Sequence, residues 1–155
     1  MASDSDHDDG PGEAGVGEPS ALSRALRRYV EARQASLTEA RQLLGVNEFD
    51  ARALLFIAGH PRSRPTSLRE YLGITSAGVT ALIDRLEERG AVRREVDPHD
   101  RRVNRLTVTV DLSAEPWSAL TRFDAAFERA LAASADGDAE RLAALLETLT
   151  DDAAG

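Results

Sequence analysis

The chain has 155 residues, 42% of them hydrophobic and 30% charged, with a net charge of −8. That is room for one domain with its own core and too little for two ordinary ones. The lack of cysteine excludes disulfides, thiolate metal sites and thiol redox sensing.

In chain order, the opening stretch MASDSDHDDGPGEAGVGEPS carries six acids and no base. It lacks apolar content, so residues 1–19 are expected to form a disordered acidic arm. It also lacks the basic and apolar regions of a secretory signal. No later run approaches the roughly 18 apolar residues of a membrane span. A cytoplasmic protein without a membrane partner is expected. From Ser20 the spacing of Leu22, Ala25, Leu26, Tyr29 and Val30, then Leu37, Ala40, Leu43 and Leu44, predicts a long helix closed by Gly45. A second helix is predicted from about Asn47, with Phe49, Ala53, Leu54, Phe56 and Ile57 inward, ending at Gly59-His60-Pro61.

The segment SLREYLGITSAGVTALIDRLEERG follows. Leu68, Tyr71 and Leu72 make a short helical stripe broken by Gly73. Thr75 is suited to cap the next helix, whose inward stripe is Val79, Leu82, Ile83 and Leu86, and Gly90 ends it. Two short helices around a brief Gly-containing turn are the signature of a helix-turn-helix. The β-branched runs AVRREV and VNRLTVTV then flank Asp97-Pro98-His99-Asp100, which suits a type I turn. A hairpin directly after a helix-turn-helix makes a winged helix. Beyond it, Ser113 is expected to cap a helix with Pro116 in its first turn and Trp117, Leu120, Phe123, Phe127 and Leu131 on one side. Asp138 is expected to cap a last helix bearing a seam of Leu142, Leu145, Leu146 and Leu149.

The order of these elements and the run RLEERGAVRREVDPHDRR resemble the MarR family of winged-helix transcription regulators. The likeness spans residues 20–150. Its most specific part lies between Leu72 and Thr109, where the helix-turn-helix, DRLEERG and a D-x-x-D-R-R wing occur in the family's order. The expected fold is mainly α: a winged helix-turn-helix with an α-helical dimerisation domain. The resemblance assigns residues 46–111 to DNA binding and residues 20–45 and 112–152 to dimerisation. It implies a homodimer on a pseudo-palindromic double-stranded DNA operator, usually a repressor released by a small-molecule effector. By the same resemblance an effector pocket would lie between the two parts, where Tyr29, Arg33, Phe56, His60 and Trp117 are candidates; all five are equally explicable as core or boundary residues.

The charge pattern bears on this expectation. All 19 basic residues are arginine, and residues 60–105 carry ten of them against seven acids, so the middle is mildly basic although both ends are acidic. A polyanion responds to the local patch, not the sum. The helix opened by Thr75 would enter the major groove with Ser76, Ala77, Gly78, Thr80 and Ala81 outward. This set is short and poor in hydrogen-bonding groups, so it offers no bidentate arginine-to-guanine readout. Ala77, Ala81 and the Thr80 methyl can meet thymine methyls, and Ser76 with the helix N-terminus can hold a phosphate. Gly78 either permits close approach to DNA or is a neutral surface glycine. Arg85 either braces the wing beside Asp84 or touches a phosphate, and Arg93 and Arg94 are either contacts or solvated strand residues.

With little readout from the helix, the wing gains weight. Residues two apart in a strand share a face. Asp100 can therefore orient the Arg102 guanidinium towards a narrow minor groove, while Arg101 faces a phosphate. The family resemblance points to the same Asp100–Arg102 pairing. Arg105 reads as a local ion pair or a phosphate contact. The other reading of Arg102 is an exposed turn charge worth about 0–1 kcal/mol. The leucine seam at 142–149 and the stripe at 22–30 exceed what one small winged helix needs, so these helices either join a second copy or pack on each other. No enzyme is expected: His7, His60 and His99 have no metal-ligand spacing, and no nucleophile elbow or phosphate-cradling loop is present. No cofactor or metal is expected either. The alternative function is a winged helix used for protein–protein contact without DNA.

Overall fold

The computed structural model describes residues 18–98, 100–134 and 137–155. The acidic arm up to residue 17 and His99, at the centre of the expected wing turn, lie outside the described residues. The described elements run α1 (Ala21–Leu44), α2 (Glu48–Gly59), α3 (Pro65–Leu72), α4 (Ser76–Glu88), β1 (Val92–Val96), β2 (Asn104–Val108), α5 (Arg122–Ala132) and α6 (Asp138–Ala154). A 3₁₀ turn, Trp117–Leu120, precedes α5.

Local chemistry sets most of these boundaries. Ser20 Oγ accepts the Ser23 N–H at 3.1 Å to open α1, and Gly45, at φ +61°, closes it in the left-handed conformation that glycine adopts most readily. Asn47 and Asp50 form a capping box at the start of α2. Thr75 Oγ1 accepts the Gly78 N–H at 3.1 Å. Gly73-Ile74-Thr75 joins α3 to α4, as the helix-turn-helix requires. The strands pair antiparallel with Arg94 opposite Leu106 and Val96 opposite Asn104. Ser63, ahead of α3, extends the pairing by accepting the Leu106 N–H at 2.9 Å. The winged helix is mainly α with one hairpin among the described residues, as expected.

The core is the inside of this winged helix. Leu54 and Ile57 from α2, Leu68 and Leu72 from α3, the α4 stripe Val79, Leu82, Ile83 and Leu86, and Val92 and Leu106 from the hairpin are buried together. Ala40 of α1 and Ala119 and Leu120 of the 3₁₀ turn belong to the same cluster. In contrast, Ala40 is the one buried residue of α1, and α5 and α6 have none. Tyr29 packs on Phe123 and Phe127 at ring distances of 5.4 and 4.8 Å, and so holds α5 against α1.

Four expectations about packing and caps need correction. Phe49 and Tyr71 are not inward: they are 43% and 48% exposed. Both lie near Arg52, whose guanidinium sits 5.9 Å from the Phe49 ring centre and 5.3 Å from that of Tyr71. A ring over a guanidinium gains enough at a surface to hold this arrangement. Ser113 does not cap a helix, because its N–H and Oγ–H both go to Asp111 Oδ1, at 2.8 and 2.6 Å. These donors hold the Asp111 carboxyl below its ordinary range. The helix begins later, at Arg122. Asp138 is the first residue of α6, not its cap; Gly137, at φ +85°, takes the cap position without a side-chain bond.

Candidate nucleic-acid interface

The outer side of α4 carries the small residues expected of it. Thr75, Ser76, Ala77, Thr80 and Ala81 are exposed. Ser76 Oγ accepts a bond of 3.3 Å from Arg69 of α3, which places a guanidinium at the mouth of α4. The Thr80 hydroxyl turns back to donate to the Ser76 carbonyl at 3.0 Å. Gly78 is half-buried, and a Cβ there would lie 3.2 Å from Thr75 Oγ1. The missing side chain makes room for the helix's own cap, so Gly78 is not a neutral surface position.

Arg85 braces neither the wing nor Asp84. Its guanidinium reaches Asp50, with Nε at 3.2 and 3.1 Å from the two carboxylate oxygens and Nη2 at 2.5 Å from Oδ1. Asp50 is 1% exposed, so α4 is locked to the start of α2 by a carboxylate inside the fold. These bonds raise the Arg85 guanidinium above its ordinary pKa. Arg89 donates to the carbonyls of Leu44 and Gly45 at 3.3 and 2.7 Å. It thereby ties the end of α4 to the end of α1. Arg33 and Asp124 make a bidentate pair of 2.8 and 2.9 Å between α1 and α5.

At the hairpin the arginines divide into two groups. Arg105 is an ion-pair residue: Nε lies 2.7 Å from Asp97 Oδ2, and Nη1 donates to the Arg62 carbonyl at 3.2 Å. Asp97 is buried, so it is a structural anchor below the turn. Arg93 pairs with Glu95 on its own strand. Arg94 reaches α4, where it meets Asp84 and Glu87. Arg101 and Arg102, at the tip, are exposed, and no ion pair joins them to a carboxylate among the described residues. The expected side-chain pairing of Asp100 with Arg102 does not form. Asp100 Oδ1 instead accepts the Arg102 backbone N–H at 3.0 Å. A short carboxylate bonding a backbone amide two residues on is an Asx turn, so Asp100 fixes the path of the chain and leaves the guanidinium extended into solvent.

Sequence reasoning misses Arg69 and Arg89 and leaves the role of Arg94 open. Arg69 carries a weak signal, since it sits one turn before Gly73 in the first helix of the motif. The partners of Arg89 and Arg94 depend on how α1, α4 and β1 cross.

A cavity of about 670 Å³ lies between α1 and α2. Arg33, Phe56 and His60, three of the expected candidates, line it together with Arg52 and Tyr71. Tyr29 lines a separate cavity of about 470 Å³ beside α5, and Trp117 lines neither. Phe56 stacks between His60 and Tyr71, at 4.3 and 4.5 Å.

The fold and this surface define a winged helix-turn-helix protein with uncovered arginines at its wing. A model of the MarR family matches residues 44–103. Among solved structures, Tm0710 from Thermotoga maritima, described as a transcriptional regulator, is 25% identical, with 84% of this chain and 92% of that one covered and a TM-score of 0.55. A mutant MepR of S. aureus bound to an oligodeoxyribonucleotide is 17% identical over 86% and 99% of the chains, with a TM-score of 0.56. MepR bound to ethidium bromide is 16% identical over 86% and 96%, with a TM-score of 0.60. The comparison with curated proteins found no match. Residues 44–103, which hold the helix-turn-helix and most of the wing, are thus similar to the MarR family. Among the described residues, no helix is long and apolar enough to cross a membrane.

Proposed function

We propose that the protein is a homodimeric, sequence-specific double-stranded DNA-binding regulator that acts as a repressor released by a small ligand. The observation that carries this reading is the division of labour among the arginines. Arg85, Arg89, Arg94 and Arg105 are engaged in holding the winged helix together, whereas Arg101 and Arg102 stand exposed at its tip. In this reading α4 lies in the major groove, with Thr75 and Ser76 at a phosphate and Ala77, Thr80 and Ala81 against base edges. The wing arginines reach the minor groove and its phosphates. Arg85 supports α4 from behind. The releasing ligand occupies the cavity between α1 and α2.

Binding should be read against salt. DNA fragments from the source genome should be bound with log K falling against log salt by about 0.9 for each phosphate neutralised. A partner held with no salt dependence would make this a protein-binding module.

The dimer is supported by uncovered apolar surface. Leu26 and Val30 of α1, Phe127 of α5 and Leu142, Leu145 and Leu149 of α6 are 36–49% exposed. α6, with no buried residue, has little to hold it in an isolated chain. Its leucines and the α1 residues would cover one another across a two-fold axis, which also sets two α4 helices about 34 Å apart, one DNA turn. Native mass should be twice 16.7 kDa. Leu145→Asp together with Leu149→Asp should shift it towards the monomer and weaken operator binding. A wild-type mass of a single chain at micromolar concentration would refute the dimer.

A further inference from the structure

Arg94 sits in the middle of β1, yet its side-chain bonds go to α4. Nη1 donates to Glu87 Oε2 at 2.5 Å, Nη2 to Asp84 Oδ1 at 2.6 Å, and Nη2 also reaches the Thr80 carbonyl at 3.5 Å. Its backbone N–H goes to the other oxygen of Glu87 at 2.8 Å. Thr80, Asp84 and Glu87 are four and then three residues apart, so they form one stripe along α4. A single guanidinium therefore spans about two turns of the helix from a fixed point on the strand. Arg94 and Glu87 side chains are 29% and 30% exposed, enclosed enough for the fork geometry to matter.

We propose that Arg94 is a positioning residue: with Asp84 and Glu87 it sets the tilt of the hairpin against α4. Through that tilt it sets the distance between the group that enters the major groove and the arginines that enter the minor groove. This rests on the proposed DNA-binding function. The remaining anchors of the hairpin lie elsewhere. Leu106 N–H bonds to Ser63, Arg105 binds Asp97, and Val92 and Leu106 are buried in the core. These keep the strands folded and attached, while the polar tie to the α4 stripe belongs to Arg94. The tip lies roughly 15 Å along the strand from Arg94 at about 3.3 Å per residue. A tilt of about 10° at Arg94 then moves Arg102 by roughly 3 Å, enough to lose a hydrogen bond whose length is about 2.9 Å.

Two variants separate this from simple electrostatics. Arg94→Lys keeps the charge but has no planar fork to hold two carboxylates and a carbonyl at once. Glu87→Ala removes the bonds to both oxygens of that carboxylate while deleting a negative charge from the helix that faces DNA. If charge alone mattered, it would tighten binding. We expect both variants to bind operator DNA about tenfold more weakly. Hydroxyl-radical footprints should lose the minor-groove protection under the wing, while methylation protection of guanines and adenines in the major groove persists. In the free protein, backbone order parameters at Asp100–Val103 should fall relative to those of α4, with melting temperatures little changed. A wild-type footprint together with wild-type order parameters in Arg94→Lys would overturn the proposal. So would protection lost equally in both grooves alongside a large drop in melting temperature, which would mark a merely structural residue. Should wild-type protein bind no genomic fragment, the DNA-binding reading falls; the order parameters then decide, and a hairpin as rigid in Arg94→Lys as in wild type overturns the clamp.

Discussion

Replacing Arg101 and Arg102 together with alanine is expected to weaken operator binding by about three orders of magnitude at 0.15 M salt. This magnitude follows from roughly 1 kcal/mol for each of the four wing arginines of a dimer. The geometry explains why the loss should be so concentrated. Asp97 N–H bonds to the Val103 carbonyl at 2.8 Å, Val103 N–H to the Asp100 carbonyl at 3.0 Å, and Asp100 Oδ1 takes the Arg102 N–H. Three backbone donors of the turn are thus bonded within it, and among the described residues the two guanidinium groups take no part in these bonds. Their removal should leave the fold and melting temperature close to wild type, because exposed side chains away from the core contribute little to stability. The salt dependence should flatten at the same time, its slope falling by about 0.9 for every phosphate that the variant no longer neutralises. Equal affinity for wild type and the double variant at that salt concentration would remove the wing from the mechanism. Asp100→Ala should have a smaller effect than either arginine, since it loosens the turn without removing a guanidinium.

Arg85→Ala should act in the opposite way, through stability. The Asp50 carboxylate it leaves behind is 1% exposed and gives up three hydrogen bonds in one step. Removing one partner of a buried pair typically costs about 3–5 kcal/mol. The Arg85 side chain keeps 40% of its surface exposed, so water reaches its side of the pair. We therefore expect a cost of about 2–3 kcal/mol. Urea unfolding followed by circular dichroism measures it directly. Once affinity is corrected for the fraction folded, the salt slope of DNA binding should match wild type. A slope lower by about 0.9 per site at unchanged stability would instead make Arg85 a phosphate contact. Asp50→Asn with Arg85 intact should cost less, because the amide oxygen still accepts from the guanidinium and no bare carboxylate remains inside.

How much of this is legible without the fold depends on the range of each interaction. Ser20, Gly45, Gly73, Thr75 and Gly90 punctuate the helices as their chemistry dictates, since a cap is decided within four residues. The apolar stripe of α4 and the alternation in β2 place the core side of each element. Charged residues are less legible. For Arg85 the visible partner in the sequence is its neighbour Asp84, which points to the wing or to DNA; the real partner is 35 residues earlier. Strand alternation pairs Arg102 with Asp100, but a tight turn offers Asp100 a nearer donor in the backbone. Ser113 fails as a cap for a similar reason: Asp111, two residues before it, takes both its donors.

The sequence by itself determined the order of helices and strands, the turn between α3 and α4, and the small, hydrogen-bond-poor set on the outer side of α4. Hydrophobic periodicity and capping act over a few residues and survive without knowledge of what packs where. Only the tertiary structure decided which arginines are structural and which are left uncovered. A guanidinium can reach any carboxylate or carbonyl within several ångströms of its tip, and which ones lie there is set by helix crossings that no local pattern encodes.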